Sequence, residues 1–211
     1  MRMLEQRRGI FVCIEGLDGS GKTTHAHRLV QNLRANRFAT IYTAEPSRGK
    51  IGRFIRSHIL QRKKRVSRVV EALLFATDRL DHMNNKIVPA LERKKIVVSD
   101  RYFYSSLAYQ GATGLDLKWI EHINRFALQP DLAIYLDVPP EVVVRRMQRK
   151  KSVMENLETQ RRVEKVYLEY VKRGMLVPVD GNRKKDEVTK NISTVVFDFL
   201  KKKELFRKTA S

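Results

Sequence analysis

The stretch Ile10–Thr23, IFVCIEGLDGSGKT, decides the fold. Ile10–Glu15 is a short apolar run and reads as a strand. Gly16–Thr23 fits the pattern G-x-x-x-x-G-K-[ST], and Lys22–Asn36 carries apolar residues at helical spacing. Strand, glycine-rich turn and helix in that order form a phosphate cradle: backbone N–H groups wrap the phosphates and the helix N-terminus adds its positive dipole end. The candidate nucleotide-binding residues are therefore Gly16, Leu17, Asp18, Gly19, Ser20, Gly21, Lys22, Thr23 and Thr24. Lys22 is expected to reach the β- and γ-phosphates, and the Thr23 hydroxyl to ligate Mg²⁺. The motif predicts a nucleoside triphosphate donor and leaves the acceptor open: water, a metabolite or a nucleotide.

Outward from this cradle, strands and helices alternate. Thr40–Thr43, Lys95–Ser99, Leu132–Leu136 and Leu176–Val179 read as strands two to five. Ile51–Leu60, Val66–Leu91, Tyr104–Gln110, Leu117–Leu128, Glu141–Arg149, Leu157–Lys172 and Lys184–Leu200 read as helices. The strands are continuous Val/Ile/Leu runs, as expected when both faces are covered. Strands separated by helices imply parallel βαβ units. The expectation is an α/β protein with a three-layer αβα P-loop NTPase fold, a five-stranded parallel sheet and one domain over 1–211. In such sheets ligands sit at the carboxyl ends of the strands.

The chain has 211 residues, enough to bury a core, and 42% hydrophobic residues argue against disorder. No apolar run approaches the ~20 residues of a membrane span, and Glu15 interrupts the only run resembling a signal core, so neither span nor secretion signal is expected. Cys13 is the one cysteine, which excludes an internal disulfide and a cysteine zinc site and fits a reducing cytoplasm. The net charge of +20 suggests anionic partners. The basic residues are scattered, at Arg62–Arg65, Arg93–Lys95, Arg183–Lys185 and Lys201–Lys203, which favours a solvated surface.

Candidates for the acceptor side follow the other strands. Asp100, at the end of strand three, is placed to hold Mg²⁺, and Arg101 puts a cation where phosphates converge. Phe75 and Arg79, four apart on a helix, suit a flat heterocycle, a ring to stack and a fork to hydrogen-bond; each alone also reads as a core ring and a surface charge. Ser106 and Gln110 form a second such pair, able to meet a base edge or merely to cap. Arg48, in Glu45-Pro46-Ser47-Arg48 after strand two, suits an acceptor phosphate or plain solvent.

Together these pieces resemble the thymidylate kinase family of nucleoside monophosphate kinases. The resemblance rests on IEGLDGSGKT (14–23), AEPS (44–47), LLFATDR (73–79), DRY (100–102) with SSLAYQG (105–111), and PDLAIYLDVPPEVVVRRM (130–147). It implies ATP as donor, dTMP as acceptor and dTDP as product, with Mg²⁺, in the pathway to dTTP. It implies Asp18 on the deoxyribose 3′-hydroxyl, Phe75 stacked on thymine, and Arg79 bonded to the base. Arg101 and Arg48 fall on the acceptor phosphate, with Ser106 and Gln110 near the base. Ser47 stands where that family's loop usually carries glycine. The phosphate loop holds no arginine, so the resemblance is to the type whose catalytic arginine comes from a lid, here around 145–156. Arg149 is the first candidate and Arg146 is expected near adenine, giving a catalytic set of Lys22, Arg101 and Arg149. A homodimer is also implied, with no nucleic-acid or membrane partner. Two other readings stay open. A deoxynucleoside kinase would use Glu45 as base on a hydroxyl acceptor, and a nucleic-acid-binding ATPase would use the net charge.

Overall fold

The computed structural model describes residues 9–61, 66–147 and 157–209, with side chains through 203. Five strands form one parallel sheet: β1 Ile10–Gly16, β2 Thr40–Ala44, β3 Ile96–Asp100, β4 Leu132–Asp137 and β5 Val177–Asp180, in the spatial order β2-β3-β1-β4-β5. All seven residues of β1 are buried, which is why its apolar run does not alternate.

Helices cover both faces. α1 (Lys22–Ala35) packs on β1, β2 and β3, and α9 (Lys185–Thr209) lies beside it. α5 (Phe103–Gly111) packs on β1, with α6 (Leu117–Ile123) and α8 (Leu157–Lys172) against it. α2 (Lys50–Phe54) runs into a π-helical turn, Ile55–Leu60, and α7 (Pro140–Met147) follows β4. This is the expected three-layer α/β arrangement.

Several helices differ from expectation: the closing helix, predicted to end at Leu200, runs on to Thr209, and the one predicted over 51–60 is π-helical from Ile55. The single helix predicted over 66–91 is α3 (Arg68–His82), a π-helical turn Met83–Ile87, and α4 (Val88–Glu92). Pro89 lies at the start of α4; proline offers no N–H and crowds the carbonyl four residues back, and the wider turn accommodates it. The helix predicted over 117–128 ends at Ile123. Asn124, its C-cap, is drawn inward, donating to the Ile120 carbonyl at 2.8 Å and accepting from Arg79 at 2.5 Å.

Register brings the loops together. Ile14 pairs with Asp100, and Asp100 pairs in turn with Ala44. The turns after β1, β3 and β2 therefore adjoin at the carboxyl edge, where this topology places its ligands.

Candidate active site

The phosphate loop sits tightly under α7. Gly19 has φ of 80°, and a Cβ there would lie 2.8 Å from the Met147 side chain and 3.2 Å from the Val143 carbonyl oxygen of α7. Only glycine fits both that backbone and that approach. Gly21, at φ 100°, caps α1. Lys22 is buried, and its Nζ donates to the Leu17 carbonyl at 2.5 Å. Burial first, then the neighbouring Arg101, pushes its ammonium down to about 8, against the pull of Asp18, Asp100 and Glu15. Phosphates bind the charged form, so affinity for ATP is expected to fall above that pH, by about tenfold between pH 7 and pH 9. Titration calorimetry at pH 8.5 in buffers of different ionisation enthalpy should register proton uptake on binding.

Thr23 and Asp100, each expected to hold Mg²⁺, lie side by side, Thr23 Oγ1 donating to Asp100 Oδ2 at 2.5 Å. The other oxygen, Asp100 Oδ1, is buried without a partner. Two hard oxygens with one free acceptor suit a magnesium ion that takes its other ligands from phosphates and water. Among the described residues no cluster of three or more His, Cys, Asp or Glu forms a complete protein cage.

Arg101, just after β3, reaches across to the phosphate loop. Its guanidinium makes an ion pair with Asp18, bonds to Ser105 Oγ at 3.2 Å and lies 5.0 Å from the Tyr109 ring centroid. The Tyr109 hydroxyl accepts from the Asp18 backbone N–H at 2.8 Å. Burial alone would raise the Asp18 carboxyl, but Arg101 and then Lys22 outweigh it and hold it below the usual range. Arg101 has φ of 68°, a left-handed backbone uncommon for a residue with a side chain and a mark of functional turns.

Among the described residues, Arg79 is the largest fully buried side chain. Nε donates to Glu45 Oε2 at 3.0 Å, one terminal nitrogen to Asn124 Oδ1, and the other to Ser106 Oγ at 2.9 Å and the Tyr102 carbonyl at 3.2 Å. Arg79 and Ser106, each expected near a base, are bonded to one another, inside a buried network rather than at a surface. Gln110 is buried and its Oε1 is unpartnered, while Phe75 is half-buried. Glu45 is occupied at both oxygens, the second by His82 Nδ1 at 3.2 Å.

The loop after β2 is anchored rather than loose. Asp78 accepts from both the backbone N–H and the hydroxyl of Ser47 at 2.6 Å. Gly52 lies so close that a Cβ would come within 2.0 Å of the Ser47 carbonyl oxygen. Arg48, at the tip of this held loop, is exposed.

At the lid end, Arg146 is exposed on α7 and Arg149 lies outside the described residues. Burial, followed by Arg28, Lys185 and Arg146, drives the His25 imidazole down to about 4, which keeps it neutral at physiological pH. It is a structural group, 3.0 Å from Thr189 Oγ1 of α9. Thr24 is exposed beside it.

Sequence reasoning missed Glu15, Asp78, Tyr109 and Asn124. Glu15 carried a signal, a carboxylate inside an otherwise apolar central strand; the other three become visible only when distant segments meet.

The family model described as thymidylate kinase matches residues 14–192. A probable thymidylate kinase from Pyrococcus abyssi is 46% identical over 168 residues, 76% of this chain and 82% of that protein. One from Pyrococcus horikoshii is 45% identical with the same coverage. One from Staphylothermus marinus is 37% identical over 204 residues, 93% of this chain and 99% of that protein.

Proposed function

The chain belongs to the thymidylate kinase family, and from that premise we propose how its residues carry the transfer of a phosphoryl group from ATP to dTMP. The enzyme is an ATP-dependent nucleoside monophosphate kinase whose product is dTDP. The observation that carries the residue assignment is the contact of Arg101 with Asp18 inside the phosphate loop. It supports assigning Arg101 to the acceptor phosphate, because the guanidinium lies directly beside the phosphate loop.

In this reading the loop Gly16–Thr23 with Lys22 holds the ATP phosphates, with Thr24 at the start of the helix behind them. Magnesium, held by Thr23 and Asp100, would draw charge from the β- and γ-phosphates. Arg101, with Arg48 from the anchored loop, takes the dTMP phosphate, exchanging its partner Asp18 for that dianion. Asp18 is then free for the deoxyribose 3′-hydroxyl. Phe75 stacks on thymine, and Arg79, Ser106 and Gln110 read its edge. Gln110 Oε1, Asp100 Oδ1 and Ser20 Oγ support this, since all three are buried atoms without a protein partner. Buried polar atoms are mostly bonded, to protein, water, an ion or a ligand, so unpartnered atoms at this edge are compatible with a ligand there. Arg149 supplies the lid arginine and Arg146 borders adenine.

No general base is required. The second pKa of a phosphate monoester is ~6, so near neutral pH the acceptor oxygen is already an anion. The task is to hold two anions in line, which Lys22, Arg101 and the lid arginine do by charge and position. Glu45 could serve as a base on a nucleoside only by leaving Arg79 and His82, so its bonds to both disfavour the nucleoside kinase reading. Calorimetric binding of dTMP and thymidine tests the assignment: dTMP is expected to bind at least about a hundredfold tighter, and equal affinities would sink it.

One domain in the cytoplasm, working as a homodimer, completes the reading. Among the described residues no helix is long and apolar enough to cross a membrane. Val69, Val70 and Leu73 leave exposed apolar side chains on α3, with Val66 just before it, Phe54 at the end of the adjoining α2 and Leu60 at the end of the π-helical turn also exposed. Such a patch marks an interaction surface. Replacing Val70 and Leu73 together by Asp is expected to convert a dimer to a monomer in light scattering; an unchanged mass would remove this face from the interface.

A further inference from the structure

Glu15 is the one acidic side chain in the central strand, with no exposure to solvent, and the mechanism above does not use it. Its carboxylate is fully engaged. Oε1 accepts from the Tyr102 backbone N–H at 2.9 Å. Oε2 accepts from Ser105 Oγ at 2.5 Å and from the Tyr167 hydroxyl at 3.2 Å. The two hydroxyls are themselves 3.1 Å apart. Burial pushes this carboxyl above its usual range, and the Ser105 bond, Arg101, the Tyr102 N–H and Arg79 only partly offset that. A buried acid with so many donors in place serves some purpose beyond filling space.

The donors identify that purpose. Tyr102 and Ser105 bracket the turn that follows Arg101, whose own N–H bonds back to the Ile14 carbonyl at 3.0 Å. Ser105 Oγ, held by Glu15, receives the Arg101 guanidinium. The Tyr102 carbonyl, on the residue whose N–H Glu15 holds, receives Arg79. Tyr167 belongs to α8, the helix that follows 148–156. One carboxylate on the phosphate-loop strand therefore ties together the seats of both arginines and α8.

We propose that Glu15 is a positioning residue for phosphoryl transfer, which sets the Arg101 guanidinium against the phosphate loop by clamping the Tyr102–Ser105 turn and Tyr167. The proposal rests on the assignment of Arg101 to the acceptor phosphate. Glu15→Gln keeps the shape but loses acceptor capacity at Oε2, so both hydroxyls must reverse their bonds and Arg101 loses a nearby opposite charge. A small displacement of a positioned cation is enough to cost about a hundredfold in rate.

The test compares wild type, Glu15→Gln and Arg101→Ala by steady-state kinetics with ATP and dTMP, and by binding of ADP, dTMP and thymidine. Glu15→Gln is expected to lower kcat/KM for dTMP about 10- to 100-fold. It should weaken dTMP binding, with ADP and thymidine binding changed less than about twofold. A merely structural role would weaken all three ligands together or leave all three unchanged, and either pattern overturns the proposal. Impaired Arg101→Ala beside unimpaired Glu15→Gln overturns the proposal alone. Arg101→Ala equal to wild type overturns the acceptor assignment and this proposal with it. If Glu15→Gln does not bind ADP, the double variant Ser105→Ala, Tyr167→Phe loosens the same clamp while keeping the carboxylate. It should show the same selective loss for dTMP, and wild-type kinetics there would refute the clamp.

Discussion

Arg101→Ala is expected to lower kcat/KM for dTMP by about 10³-fold, or about 4 kcal/mol of transition-state stabilisation, while ATP binding stays within a few-fold of wild type. Two losses combine. The guanidinium that meets the acceptor phosphate is gone, and Asp18 is left as an uncompensated carboxylate beside an incoming dianion. Arg101 is the leading charge that depresses Asp18, so its removal should also let that carboxyl rise toward its ordinary range. Backbone strain does not explain the loss, because alanine and arginine bear a similar cost at a φ of 68°. Kinetics with both substrates varied separate the outcomes: a loss confined to ATP parameters would place Arg101 on the donor instead.

Lys22→Ala should cost about 10³-fold in kcat and raise the KM for ATP, since the ammonium neutralises the charge moving between β- and γ-phosphates. Its effect on stability should run the other way. The fold holds the Lys22 pKa at about 8, below the ordinary lysine value of 10.5, so folding disfavours its charged form. The unfolded chain therefore binds the proton more tightly, and stability rises with pH between those two values. At pH 7 the variant is freed from burying that charge, so thermal unfolding should show a melting temperature equal to or above wild type. A variant that is both inactive and markedly less stable would mean that Lys22 organises the loop through its bond to Leu17. Such opposition between stability and activity is common where a buried charge serves a ligand.

The sequence exposes the phosphate cradle because the cradle is local. Strand, glycine turn and helix follow one another within Ile10–Ala35, and each leaves its own mark in residue type and spacing. The parallel sheet is legible for a similar reason, since continuous apolar runs separated by helices admit few other arrangements. The acceptor side is read residue by residue but not as an arrangement. Arg79 reads as a surface fork or base reader, and its burial depends on Glu45, Ser106 and Asn124, which belong to three other segments. The Asp18–Arg101 pair spans 83 positions, and no local periodicity announces it. The break of α6 at Ile123 has the same origin, because the residue that ends the helix is needed by Arg79. Propensity describes what a segment does alone, and these residues take their places from partners elsewhere in the chain.

The most direct measurement of the central claim is ADP release from ATP and Mg²⁺ with dTMP, dUMP, dCMP, dGMP and thymidine offered in turn as acceptors. The account predicts the highest kcat/KM for dTMP, with dTDP as product and no turnover of thymidine. Turnover of thymidine in preference to dTMP would contradict it and return Glu45 to consideration as a base.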